Sequence, residues 1–132
     1  MNRVLFMLAL TALVSCATVP QHEISAISRP FTSVDAGQKI VLSKNRTFEI
    51  KLPSNPGSGY DWVLSIDNPE VISNGSNRFS PHRSGRKGLG GETTWSLRTR
   101  SSGDATLTYS YQHTTNTSLV ASRTVTFMIG VR

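Results

Sequence analysis

The chain has 132 residues, a formal charge of +6 and a pI near 10.1, with 37% hydrophobic and 17% charged residues. That length fits one domain and is too short for a barrel enzyme or a two-domain nucleotide enzyme. The hydrophobic share and the mixed charge exclude a wholly disordered chain, and a single cysteine excludes an internal disulfide.

The chain opens Met1-Asn2-Arg3, then runs apolar from Val4 to Val14. Eleven residues are too few to span a bilayer as a helix but suit the core of a signal peptide. The run ends Leu13-Val14-Ser15-Cys16, which resembles the bacterial lipobox, an aliphatic residue and two small or β-branched ones before an obligatory cysteine. In proteins with that motif the thiol receives a diacylglycerol and the chain is cut before the cysteine. The resemblance implies a lipoprotein signal peptide over 1–15, lipidation at Cys16, and membrane attachment through it. Several acyl chains on one residue hold firmly, since each buried methylene contributes about 0.8 kcal/mol. Ala17 in place of Asp after the cysteine implies an outer-membrane lipoprotein of the bacterial envelope, facing the periplasm. A lipidated Cys16 leaves no free thiol, which excludes cysteine nucleophiles and thiolate metal sites. Residues 16–33, of mixed polarity with Pro20 and Pro30, read as a tether.

From residue 34 to 132 the pattern has period two. Lys39 to Ser43 is a short apolar run, and Thr47 to Leu52 puts Phe48, Ile50 and Leu52 on one face. Tyr60 to Ile66 aligns Tyr60, Trp62, Leu64 and Ile66. Asn68 to Ile72 reads as an extra short strand or a turn. Thr93 to Thr99 carries Trp95 and Leu97, Ala105 to Tyr111 places Leu107, Tyr109 and Tyr111 on one face, and Thr124 to Val131 aligns Val125, Phe127, Ile129 and Val131. Six alternating segments separated by Gly, Pro, Asn and Ser clusters read as antiparallel strands. The expected fold is all-β, an immunoglobulin-like β-sandwich with Trp62 in its core. The long connections are Ser73 to Glu92 and His113 to Ser122, of a length usually functional or mobile.

Few chemistries survive inspection. His22, His82 and His113 have no second ligand at a useful spacing, so no metal and no cofactor are expected. No GxSxG elbow occurs, and Asp61, Asp67 and Glu70 do not obviously converge. Gly85 to Gly91 superficially suggests a phosphate loop but lacks the Lys-Ser/Thr ending and a following helix pattern. The chain is therefore not read as an enzyme. Residues 78 to 100 hold six basic residues, Arg78, Arg83, Arg86, Lys87, Arg98 and Arg100, against one acid, Glu92. Aromatic residues do not interleave with them, so no nucleic-acid partner is expected. The stretch reads as a basic loop and strand able to steer an acidic target.

Two loop sequences are more specific. Asn55-Pro56-Gly57-Ser58-Gly59-Tyr60 runs into Asp61-Trp62, and Gly88-Leu89-Gly90-Gly91 precedes a strand carrying Trp95. In that order, each with its tryptophan, they resemble the chagasin-type inhibitors of papain-family cysteine proteases. That family shows an NPTTGY-like loop, a GxGG loop and an RPW-like loop on an immunoglobulin-like sandwich. The resemblance implies a reversible, non-covalent inhibitor, expected to be a monomer, that inserts these loops into the active-site cleft of a papain-like cysteine protease. It assigns Asn55 to Tyr60 to the central loop and Gly88, Leu89, Gly90 and Gly91 to the second. His113-Thr114-Thr115 falls where the RPW-like loop is expected, without its Trp, an aromatic of the kind that often dominates interfaces. A second reading keeps the fold without inhibition: an envelope lipoprotein whose loops bind another protein or lipopolysaccharide.

Overall fold

The computed structural model describes residues 29–83 and 88–132. The expected signal peptide, the lipidation site Cys16, most of the tether, and Arg86 and Lys87 lie outside the described residues.

Seven strands form: β1 (Lys39–Leu42), β2 (Thr47–Ser54), β3 (Tyr60–Ile66), β4 (Ile72–Pro81), β5 (Gly91–Thr99), β6 (Gly103–His113) and β7 (Arg123–Val131). They make two packed sheets, ordered β1-β7-β6-β3 and β2-β5-β4. Alternation decides which face each strand buries. Phe48, Ile50 and Leu52 turn inward on β2, opposite Leu97, Trp95 and Thr93 of β5. On the facing sheet Leu107, Tyr109, Tyr111, Phe127, Ile129 and Val131 do the same. Tyr109 joins the layers: its ring meets Trp95 edge-on at 4.7 Å and Phe127 at 5.9 Å between centroids. Fully burying side chains of this size stabilises by roughly 1.5–3 kcal/mol each. One core cluster runs from Phe31 to Val131 and joins both sheets.

Three details differ from the sequence reading. The stretch from Ser73, expected as a connection, contains most of β4, which pairs antiparallel with β5. It escapes a periodicity test because only Ile72 is buried and a bulge between Asn74 and Ser76 breaks its alternation. Strand β1 pairs parallel with β7, the exception in otherwise antiparallel sheets. Packing also begins before residue 34. Phe31 is 2% exposed and bridges Ile50, and Arg29 pairs with Asp35 at 2.7 Å. Among the described residues no helix is long and apolar enough to cross a membrane.

Strand directions sort the connections into two ends. The β2–β3, β4–β5 and β6–β7 connections share one end, and the β1–β2, β3–β4 and β5–β6 turns share the other.

Candidate functional site: three fastened loops

The β2–β3 connection is a short 3-10 turn, Pro56–Ser58, with Asn55 before it and Gly59 after it in the left-handed region (φ 83°). Proline at the first turn position presets its backbone angle. The Ser58 hydroxyl donates to the Asn55 carbonyl at 2.7 Å, so it braces the turn from within. Pro56, Gly57 and Ser58 are exposed, while Asn55, Gly59 and Tyr60 are half-buried.

Both flanking loops are fastened to this turn. On one side Asn55 Nδ2 donates to the Gly88 carbonyl at 3.3 Å. Gly90 packs against the same residue: with φ at 72°, a Cβ there would lie 2.7 Å from the Ser54 carbonyl oxygen and 3.0 Å from Asn55 Cβ. Only glycine allows that backbone angle and that approach together. The second loop closes through the His82 N–H, which donates to Gly90 O at 3.1 Å. On the other side the Thr114 N–H and hydroxyl both donate to the Gly59 carbonyl, at 2.9 and 3.1 Å. The structure thus brings together all three groups that the sequence singled out, Asn55 to Tyr60, Gly88 to Gly91 and His113 to Thr115.

Their individual roles differ from one another. Gly91 is buried and belongs to β5, and Leu89 is exposed. His113 ends β6 rather than starting a loop; it faces Tyr60 in register and meets its ring edge-on at 5.1 Å. Its Nδ1 accepts from the Asn116 N–H at 3.1 Å and shapes the start of the third loop. The outward part of that loop lies further on, at Leu119 (48% exposed) and Val120 (91% exposed).

Two supporting residues belong to none of the loop motifs: the sequence puts Tyr111 on the apolar face of its strand, and it gives neither Tyr111 nor Arg123 a role at the loops. Tyr111, on β6, places its hydroxyl on the Asn55 backbone, accepting from the N–H at 3.1 Å. Its ring stacks on Tyr60 at 5.7 Å and meets Trp62 at 4.9 Å. Arg123 lies over both Trp62 and Tyr111, at 5.6 and 5.0 Å from the ring centroids. Trp62 itself is buried and donates from Nε1 to the Pro53 carbonyl at 2.9 Å, so it holds the chain leading into the turn. A signal for Tyr111 did exist in its place on the apolar face, because a buried tyrosine hydroxyl usually finds a partner.

The basic stretch is divided by the fold. Arg78 and Arg83 lie toward the loop end, but β5 runs away from the loops and carries Arg98 and Arg100 to the opposite end. The six cations therefore do not surround the second loop. Among the described residues no cluster of three His, Cys, Asp or Glu side chains could hold a metal ion.

The sandwich thus presents three loops at one end, the outer two each bonded to the central turn. The chain belongs to the chagasin family of peptidase inhibitors, I42, whose model matches residues 41–129 and so spans all three loops. It is accordingly an inhibitor and not an enzyme. Its fold is similar to that of the cysteine protease inhibitor EhICP2 from Entamoeba histolytica, with a TM-score of 0.68 and 17% identity, covering 79% of this chain and 94% of that one. It is also similar to amebosin (TM-score 0.63, 24% identity, 78% and 96% covered). A third similar structure, PbICP-C, was solved in complex with falcipain-2 (TM-score 0.58, 21% identity, 79% and 90% covered). No curated protein matches the sequence.

Proposed function

We infer that this chain inhibits papain-like cysteine proteases, reversibly and without covalent chemistry, by placing its three loops in the active-site cleft. One observation carries the reading: the central turn is bonded on both sides, Asn55 to Gly88 and Gly59 to Thr114, into a single preformed surface. Pre-organised loops lose little entropy on binding, which favours tight association without any bond being made or cut. The fold-mates EhICP2 and PbICP-C, one a cysteine protease inhibitor and the other seen with falcipain-2, support the choice of target class. Exposed Pro56, Gly57 and Ser58 form the tip, and Leu89, Leu119 and Val120 supply apolar contact around it.

The lipobox-like Leu13 to Cys16 supports a setting on the bacterial outer membrane, facing the periplasm and attached through a lipidated Cys16.

The test is a titration of papain activity with residues 17–132. Dose-dependent inhibition that is reversed by dilution is expected. Full papain activity at micromolar protein overturns the reading.

A further inference from the structure

The end opposite the loops carries cations that inhibition does not use. Strand β5 leaves the loop end at Gly91 and, over roughly 26 Å of extended chain, delivers Arg98 and then Arg100 to the far end. The β1–β2 turn lies against the same place. The wholly buried Thr99 donates its hydroxyl to Ser43 O at 2.7 Å, accepts from the Arg46 N–H at 2.9 Å, and gives its N–H to Arg46 O at 2.8 Å. These bonds set Lys44 and Arg46 beside Arg98 and Arg100, and all four are exposed. The ion pairs among the described residues use Arg29, Lys39, Lys51 and Arg132 and none of these four. Arg98 and Arg100 line a groove with Asn45 and Ser101, which also borders Pro69 and the single acid Glu70.

The direction of the chain gives a second observation. Phe31 pairs parallel to β2, its N–H donating to Glu49 O and its carbonyl accepting from the Lys51 N–H, both at 2.8 Å. Strand β2 runs from the far end toward the loops, so the chain also reaches Phe31 from the far end.

We propose that this far end is a docking face for anionic lipid headgroups, contacted by Lys44, Arg46, Arg98 and Arg100. The three loops then point away from the lipid, toward arriving proteases. Basic residues near an anionic surface are drawn to it over about a Debye length, and arginine matches phosphate oxygens with two parallel donors. The physiological setting rests on the reading of Cys16 as the lipidated residue. The headgroup contact itself is a property of the folded domain and is tested without the lipid anchor, on residues 17–132.

The experiment is co-sedimentation of residues 17–132 with phosphatidylcholine vesicles and with vesicles containing phosphatidylglycerol. Binding only to the anionic vesicles, weakening as salt rises, is expected. Arg98→Glu with Arg100→Glu should weaken that binding roughly tenfold or more, while papain titration of the same sample is unchanged. Should this pair disturb folding, Arg98→Gln with Arg100→Gln gives the same comparison without charge reversal. Absence of binding to anionic vesicles, equal binding to neutral ones, or a loss produced by Arg78→Glu with Arg83→Glu instead would overturn the proposal. Papain titration reports separately on inhibition, and mass spectrometry of membrane-extracted protein reports separately on Cys16. The failure of either leaves the vesicle result standing.

Discussion

The hydroxyl of Tyr111, on β6, spans the sandwich to clamp Asn55 at the start of the central turn, accepting from its N–H at 3.1 Å and lying 3.3 Å from its carbonyl oxygen. One buried phenol thereby holds the backbone of the residue that also reaches Gly88. Tyr111→Phe keeps the rings packed against Tyr60 and Trp62 and removes only this clamp. Net loss of a hydrogen bond of this kind costs about 1 kcal/mol, to be read in urea denaturation. The inhibition constant for papain should rise several-fold, because the turn must then be ordered on binding. Unchanged inhibition would show that the turn is held by its other bonds.

Gly90 and Gly88 share a positive φ but differ in surroundings, 72° against Ser54 and Asn55 for the first and 89° with open space for the second. Gly88→Ala should cost about 1 kcal/mol of backbone strain. Gly90→Ala adds a clash with backbone oxygen and should cost on the order of 2–3 kcal/mol. It should also push the second loop off the central turn and weaken inhibition more than its stability loss explains. Thermal melts paired with papain titrations of both variants separate the two effects.

The two sequence loops and most strands were legible because each is written in short-range chemistry. Phe48, Ile50 and Leu52 alternate because one face of β2 is buried, and Gly90 stands where backbone must pass close to Asn55. What could not be read depends on distant partners. Strand β4 is exposed along nearly its whole length, with Ile72 alone buried and a bulge at Asn74/Ser76, so no period marks it. Arg98 and Arg100 are near the second loop in sequence, yet the length of β5 sends them to the other end. The third group, His113 to Thr115, lies beside the turn. Only the structure shows that His113 and Thr114 serve as fasteners, with Leu119 and Val120 facing outward.

Asp35 links the docked segment before β1 to itself. The Arg29 guanidinium above all, together with the Thr32 N–H, holds its carboxyl down to about 2, below its ordinary 3.8. A lowered folded-state value means that the unfolded chain takes up the proton first. The stabilisation is therefore complete above pH 4 and is lost as pH falls toward 2. Asp35→Asn should flatten the stability profile between those values, measured by chemical denaturation at fixed pH points, and leave it unchanged near neutrality in slope. A profile in the variant identical to that of the parent chain would remove Asp35 from the acid response.

Tyr109 poses the opposite case at the centre of the core. It is fully buried, and its hydroxyl has no hydrogen-bond partner among the described residues. Burying an unpaired hydroxyl costs roughly 1–3 kcal/mol, while the ring contributes contacts to Trp95 and Phe127. Tyr109→Phe retains those contacts and should raise stability by about 1 kcal/mol, seen as a higher denaturation midpoint with an unchanged slope. Burial also pushes the phenol's ionisation well above its ordinary value near 10. The folded chain keeps this proton where the unfolded chain releases it, so the neutral phenol's advantage is complete below pH 10 and fades as pH rises past it. The parent protein should therefore lose stability above pH 10 faster than the phenylalanine variant, with the gap between their midpoints widening. A gap that stays constant or narrows would mean that the hydroxyl reaches solvent.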